Sequence, residues 1–227
     1  VALGLAGLPT IIAPTIPAAI PEAVAQEARM SGQVDTRDGV TLSCTPSREG
    51  DVLVFEYSLA NGGNGPVYAS DAGTRTDAQA GTAEADPGIV TIWRAQDGYA
   101  HVLKGVAPLP EERDVPGRIM PLMVRVAPGE RIARRLVLAL PLAEQSDYYP
   151  PGPVRDYRIE EIEGVRLSID VLTAAPPGFA PEAVDYAEGF VDIGVRGTLP
   201  LLRRVSCSFR AKGLHLLVRT GDYPRPD

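Results

Sequence analysis

The sequence predicts an all-β fold, an antiparallel β-sandwich, on three observations. Prolines and glycines are abundant, 22 and 23 of 227 residues, which favours short strands punctuated by turns over long helices. From Val40 onward apolar and polar residues alternate in segment after segment, so that one face of each segment meets a core and the other faces solvent. The only two cysteines, Cys44 and Cys207, fall on the apolar faces of their segments, near opposite ends of the strand-rich region.

The clearest strands are Val52–Ala60, where Leu53, Phe55, Tyr57 and Leu59 share a face, and Val165–Thr173, where Val165, Leu167, Ile169 and Val171 oppose Arg166, Ser168 and Asp170. The same alternation predicts strands at Val40–Thr45, Val67–Ser70, Gly88–Ala95, Tyr99–Leu103, Leu122–Ala127, Ile132–Leu140, Leu199–Arg210 and Leu214–Thr220. Turn chemistry separates them. Asn61–Pro66 and Asp97-Gly98 supply residues tolerant of positive φ, and Pro128-Gly129 suits a type II turn. Neighbouring strands are therefore expected to be antiparallel. Short helices are expected only at Pro21–Met30 and Pro181–Glu188, each with Pro near a first helical position. Long connections are expected at Ala107–Pro121, Asp147–Pro153 and Ala174–Pro181, together with an acidic loop at Asp71–Asp86.

Val1–Ala25 is an apolar stretch ending in Ala23-Val24-Ala25, the small-residue pattern of a signal-peptide cleavage site. Pro9, Pro14, Pro17 and Pro21 interrupt it well short of the ~20 residues a spanning helix needs. Residues 1–32 are thus read as a signal remnant or a proline-rich arm, and residues 33–227 as one β-sandwich domain in a periplasmic or secreted protein. In that oxidising setting Cys44 and Cys207 are expected to form a disulfide. A net charge of −7 provides no basic field to attract nucleic acid.

Catalytic signatures are absent: no G-x-S-x-G, H-E-x-x-H, phosphate-binding glycine loop or C-x-x-C occurs. The two histidines, His101 and His215, read as ordinary strand residues. Glu160, Glu161 and Glu163 read as a solvated strand edge that discourages edge-to-edge pairing. The carboxylates Asp71, Asp77, Glu84 and Asp86 match no calcium loop, so no metal or cofactor is expected. Lys104 and Lys212 are the only lysines, and the scattered arginines form no cluster that would mark a carboxylate or phosphate clamp. Tyr148 and Tyr149, beside Pro150-Pro151-Gly152-Pro153, offer either a stiff recognition surface or a structural corner covering the end of the core.

Tyr57–Asn61 through Gly65–Val67, then Val90–Arg94 with Asp97-Gly98, then Ala127–Glu130 before a strand, form an order that resembles the BsuPI-type bacterial proteinase inhibitors. The resemblance covers about Asp51–Leu142 and implies an Ig-like form of the antiparallel β-sandwich, whose long Pro-rich loops and at most short helices are read from the residues above. The functional expectation is a non-catalytic exported module that binds or assembles with another envelope protein. The alternatives are a proteinase inhibitor and an enzyme with dispersed active-site residues.

Overall fold

A computed structural model describes residues 35–77, 79–110, 114–115, 117–195, 197–221 and 223–225. The export segment within residues 1–32 and the helix expected at Pro21–Met30 lie outside the described residues.

Sixteen strands follow one another among the described residues: β1 (Asp35–Arg37), β2 (Val40–Glu49), β3 (Val52–Asn61), β4 (Val67–Asp77), β5 (Thr82–Asp86), β6 (Thr91–Arg94), β7 (Tyr99–Lys104), β8 (Leu122–Val126), β9 (Arg131–Ala139), β10 (Leu142–Ala143), β11 (Tyr157–Glu161), β12 (Gly164–Leu172), β13 (Glu182–Ala183), β14 (Phe190–Asp192), β15 (Leu202–Arg210) and β16 (His215–Arg219). A four-stranded sheet has the order β1-β2-β3-β9, and a larger sheet runs β13-β14-β8-β4-β12-β7-β6 with β15 on the second edge of β12. β10-β16-β11 form a small third sheet.

Local chemistry sets the hairpins. Asp38 and Gly39 take φ of 52° and 79° between the paired residues Arg37 and Val40, the double positive φ that matches the twist of two antiparallel strands. Gly98, at φ 86°, turns β6 into β7. Asn61 fixes the next loop by donating its side-chain amide to Gly65 O and Val126 O, both at 2.9 Å.

The inner faces of the two larger sheets share one apolar cluster. It includes Val40 and Leu42 from β2, Leu53, Phe55 and Leu59 from β3, Val165, Leu167, Ile169 and Val171 from β12, and Val205 and Phe209 from β15. Complete burial of side chains of this size contributes roughly 1.5–3 kcal/mol each. The Cys44–Cys207 disulfide crosses this core from β2 to β15, near the edge-on ring pair Phe55–Phe209 at 5.5 Å. It closes a sequence separation of 163 residues.

A charged group also lies inside. Asp71 is held by Arg134 Nε at 2.7 Å and Tyr57 Oη at 3.3 Å, with Lys104 Nζ at 3.9 Å. Burial pushes the Lys104 ammonium down to about 8, against the opposing pull of Asp71. Burial, together with the Asp71 charge, raises the Tyr57 phenol, which stays protonated.

Three expectations need correction. The Asp71–Asp86 segment is a hairpin, not a loop, because β4 continues to Asp77 and pairs with β5; the Asp77 carboxylate accepts Gln79 N–H and Ala80 N–H to close the turn. Pro181–Glu188 is not helical: Glu182–Ala183 pairs with β14, and Ala187 and Phe190 pack toward Ala72 and Leu122. Tertiary burial outweighs the weak drive of so short a helix. Finally, β7 runs parallel to β12, and β10 parallel to β16. Both partners are far apart in sequence, so no tight hairpin imposes antiparallel pairing.

Replacing both cysteines by Ser is expected to lower unfolding free energy by roughly 2–5 kcal/mol, since the bridge restricts the unfolded chain over a long loop. Urea titration of the oxidised protein and the double variant measures this. Equal midpoints and slopes would refute a stabilising bridge.

Candidate functional site

The outer face of the large sheet carries most of the polar chemistry. Strand alternation turns Arg166, Ser168 and Asp170 of β12 outward, and the ladder sets them opposite Ser208, Ser206 and Arg204 of β15. Ser168 and Asp170 are nevertheless buried, at 0% and 4% exposure, because further layers cover this face. At one end Trp93, Leu103, Tyr149 and Tyr223 form a cap. At the other, Tyr68, Met123, Leu172 and Ile193 form a second. Polar groups caught between two apolar caps must find partners within the protein.

His101 on β7 supplies one. Its Nε2 lies 2.5 Å from Ser168 Oγ, which lies 2.7 Å from Ser206 Oγ. The imidazole also packs against Trp93 in a tilted arrangement, with ring centroids 4.1 Å apart and planes at 42°. Burial, reinforced by the charges of Arg204 and Arg166, drives His101 down to about 3, so the ring is neutral near pH 7. A serine beside a neutral histidine has the composition of a nucleophile and its base. Here the hydroxyl is fully buried and engaged on both sides, which leaves a reacting carbonyl no approach to it.

Asp170 supplies the second partnership. Its Oδ1 accepts Arg204 Nε–H at 2.8 Å, and its Oδ2 accepts Arg204 Nη2–H at 3.2 Å and the Val106 N–H at 3.0 Å. Gly105 makes room for this carboxylate, because a Cβ there would lie 2.3 Å from Asp170 Oδ2. The two-point contact fixes the Arg204 plane at the rim of an open concavity of about 730 Å³.

Arg37 from the end of β1, Arg118 from the connection before β8, and Arg203 complete the basic lining, over an apolar floor that includes Leu199, Pro200 and Leu202. Arg203 Nη1 donates to Pro200 O and Leu202 O, each at 3.1 Å, which orients its guanidinium without neutralising it. Among the described residues no carboxylate pairs with Arg37, Arg118 or Arg203. Four guanidiniums therefore face one carboxylate on a chain whose net charge is −7. The sequence gives no warning of this cluster, because its members come from three separated segments.

The residues singled out from sequence are distributed differently. Tyr149 is 5% exposed and packs edge-on against Tyr223 at 5.3 Å, so it belongs to the structural corner and not to an exposed surface. Its ring covers the outer face beside Trp93 and Leu103. The Tyr148 hydroxyl accepts the Ile119 N–H at 3.0 Å and ties down the preceding connection. His215 is exposed on β16. Glu160 pairs with Arg94 and Arg158, Asp86 pairs with Arg75, and no group of three or more His, Cys, Asp or Glu that could hold a metal occurs among the described residues.

Sequence reasoning also passed over Glu144. It is fully buried and accepts Arg94 N–H at 2.9 Å, Arg219 N–H at 2.7 Å and two Arg225 donors at 2.8 and 2.7 Å. Tyr223 Oη lies 2.7 Å from Ile92 O and 2.6 Å from Gln145 O. Together they lock the segment after β16 over the Trp93 cap.

His101 gives a pH signature with a definite sign. Its folded pKa lies below the unfolded 6.5, so the unfolded state binds the extra proton, and stability falls as pH drops from about 6.5 toward 3. The slope from this residue approaches 1.4 kcal/mol per pH unit. Urea unfolding at pH 7, 6 and 5 should show a decline that His101→Gln removes; parallel profiles would contradict a buried neutral histidine. No protein-family model, curated protein or solved structure matches the chain.

Proposed function

We propose that this chain is a non-catalytic binding or assembly module of an oxidising, exported compartment, with an Ig-like sandwich that presents the arginine-lined concavity to another protein. The concavity carries the reading. It is open, three of its four guanidiniums meet no carboxylate among the described residues, and the fourth, Arg204 on β15, is fixed by Asp170 of β12. An open surface that combines apolar side chains with oriented, unpaired arginines suits contact with another protein, since arginine is enriched at such interfaces. Ser168 and His101, by contrast, are sealed into the layer and act as internal hydrogen-bond partners.

The disulfide supports the compartment, because such bridges persist where thiols are not continuously reduced. Among the described residues no helix is long and apolar enough to cross a membrane. The bridge across the sandwich between β2 and β15 also supports the Ig-like reading, since inter-sheet disulfides pin sandwiches of that class.

A photo-reactive, apolar amino acid at position 200, an exposed position of the lining that carries none of the charges, introduced into the protein in its native cells, tests the proposal. A discrete cross-linked species containing one other envelope protein is expected. Cross-linking no stronger than from an exposed position on β9, such as Val137, would refute the concavity as a contact site.

A further inference from the structure

Building on that reading, we infer that the concavity receives an acidic, partly apolar segment of the partner protein, with carboxylates on Arg118 and Arg203 and an apolar side chain on the floor. Three features converge on this chemistry. Arg204 is committed to Asp170 through two donors, so its role is to shape the rim, leaving Arg37, Arg118 and Arg203 as the charges available to a ligand. Guanidinium forks match carboxylate geometry, and each of these three is exposed. The floor formed by Leu199, Pro200 and Leu202 is hydrocarbon, which a compact inorganic anion would leave uncovered and an apolar side chain next to a carboxylate would bury.

The surroundings sharpen the contrast. The chain as a whole is acidic, so an acidic partner is repelled from most of the surface and tolerated where the arginines gather. Charge opposition of this kind selects the docking face and speeds encounter more than it adds affinity. Binding should therefore weaken steeply with salt.

The test uses a fluorescent peptide of about ten residues that alternates Glu and Leu, with a Gln–Leu peptide of equal length as control, titrated by polarisation against the full chain. Saturable binding of the Glu–Leu peptide alone is expected, weakened roughly tenfold or more between low and high salt. The Arg118→Ala/Arg203→Ala double variant should lose about tenfold in affinity while its circular dichroism and melting temperature match the parent protein. Both positions are exposed, and neither forms an ion pair among the described residues, so unfolding does not confound the result.

Equal affinity of the double variant, binding of the Gln–Leu peptide, or a preference for inorganic phosphate or phosphatidylglycerol vesicles over the peptide would each overturn the inference. The position-200 cross-link separates the two levels. A cross-linked partner whose contact segment contains no Asp or Glu removes the acidic-segment inference and leaves the contact site standing. An absent cross-link removes the contact site as well.

Discussion

Strand β12 lies at the centre of the large sheet with both faces covered and both edges paired, and the rest of the structure depends on that double burial. β15 runs along one edge over nine residue pairs, while β7 and β4 share the other. Its inward residues Val165, Leu167, Ile169 and Val171 fill the sandwich core. Its outward residues Ser168 and Asp170 are polar and equally hidden. A strand in that position cannot leave a hydroxyl or a carboxylate unpartnered, because water is not there to satisfy it.

The chemistry of the outer face follows from this requirement. Ser168 draws in His101 and Ser206, and the imidazole becomes a neutral structural group with its charge suppressed by burial. Asp170 draws in Arg204 and orients it at the surface. One buried carboxylate thereby sets the geometry of a half-buried guanidinium, and the other three arginines line the same concavity. The basic concavity is thus coupled to the core through the Asp170–Arg204 pair and through Leu202, which lines it and packs against the Tyr68–Met123–Leu172–Ile193 cluster.

The disulfide and the Glu144 cluster act on the same frame from two sides. Cys44–Cys207 ties β15 to β2 across the sandwich, so the strand that carries Arg203 and Arg204 is anchored to both sheets. Glu144, with Arg219, Arg225 and Tyr223, holds the segment after β16 over Trp93. Together they tie the sandwich and the Trp93 cap to each other at two separate points.

The sequence by itself determined the all-β class, most strand positions and the inward direction of Cys44 and Cys207, because a two-residue alternation assigns faces without knowledge of the partner strand. Asp97-Gly98 similarly encodes its own turn, whereas the positive φ of Asp38 and Gly39 became evident only in the folded chain. Other features depended on tertiary structure. Alternation in β12 marks Ser168 and Asp170 as facing away from the core, but only the covering caps bury them. Tyr149 looks exposed beside its prolines until Tyr223, from a distant segment, packs against it. The Asp71–Asp86 hairpin hides behind an acidic composition because its strands pair with each other through backbone groups that carry no residue signature. The arginine cluster was illegible for the plainest reason: Arg37, Arg118 and Arg203 are far apart along the chain, and only the tertiary fold, which no local pattern reports, brings them to one rim.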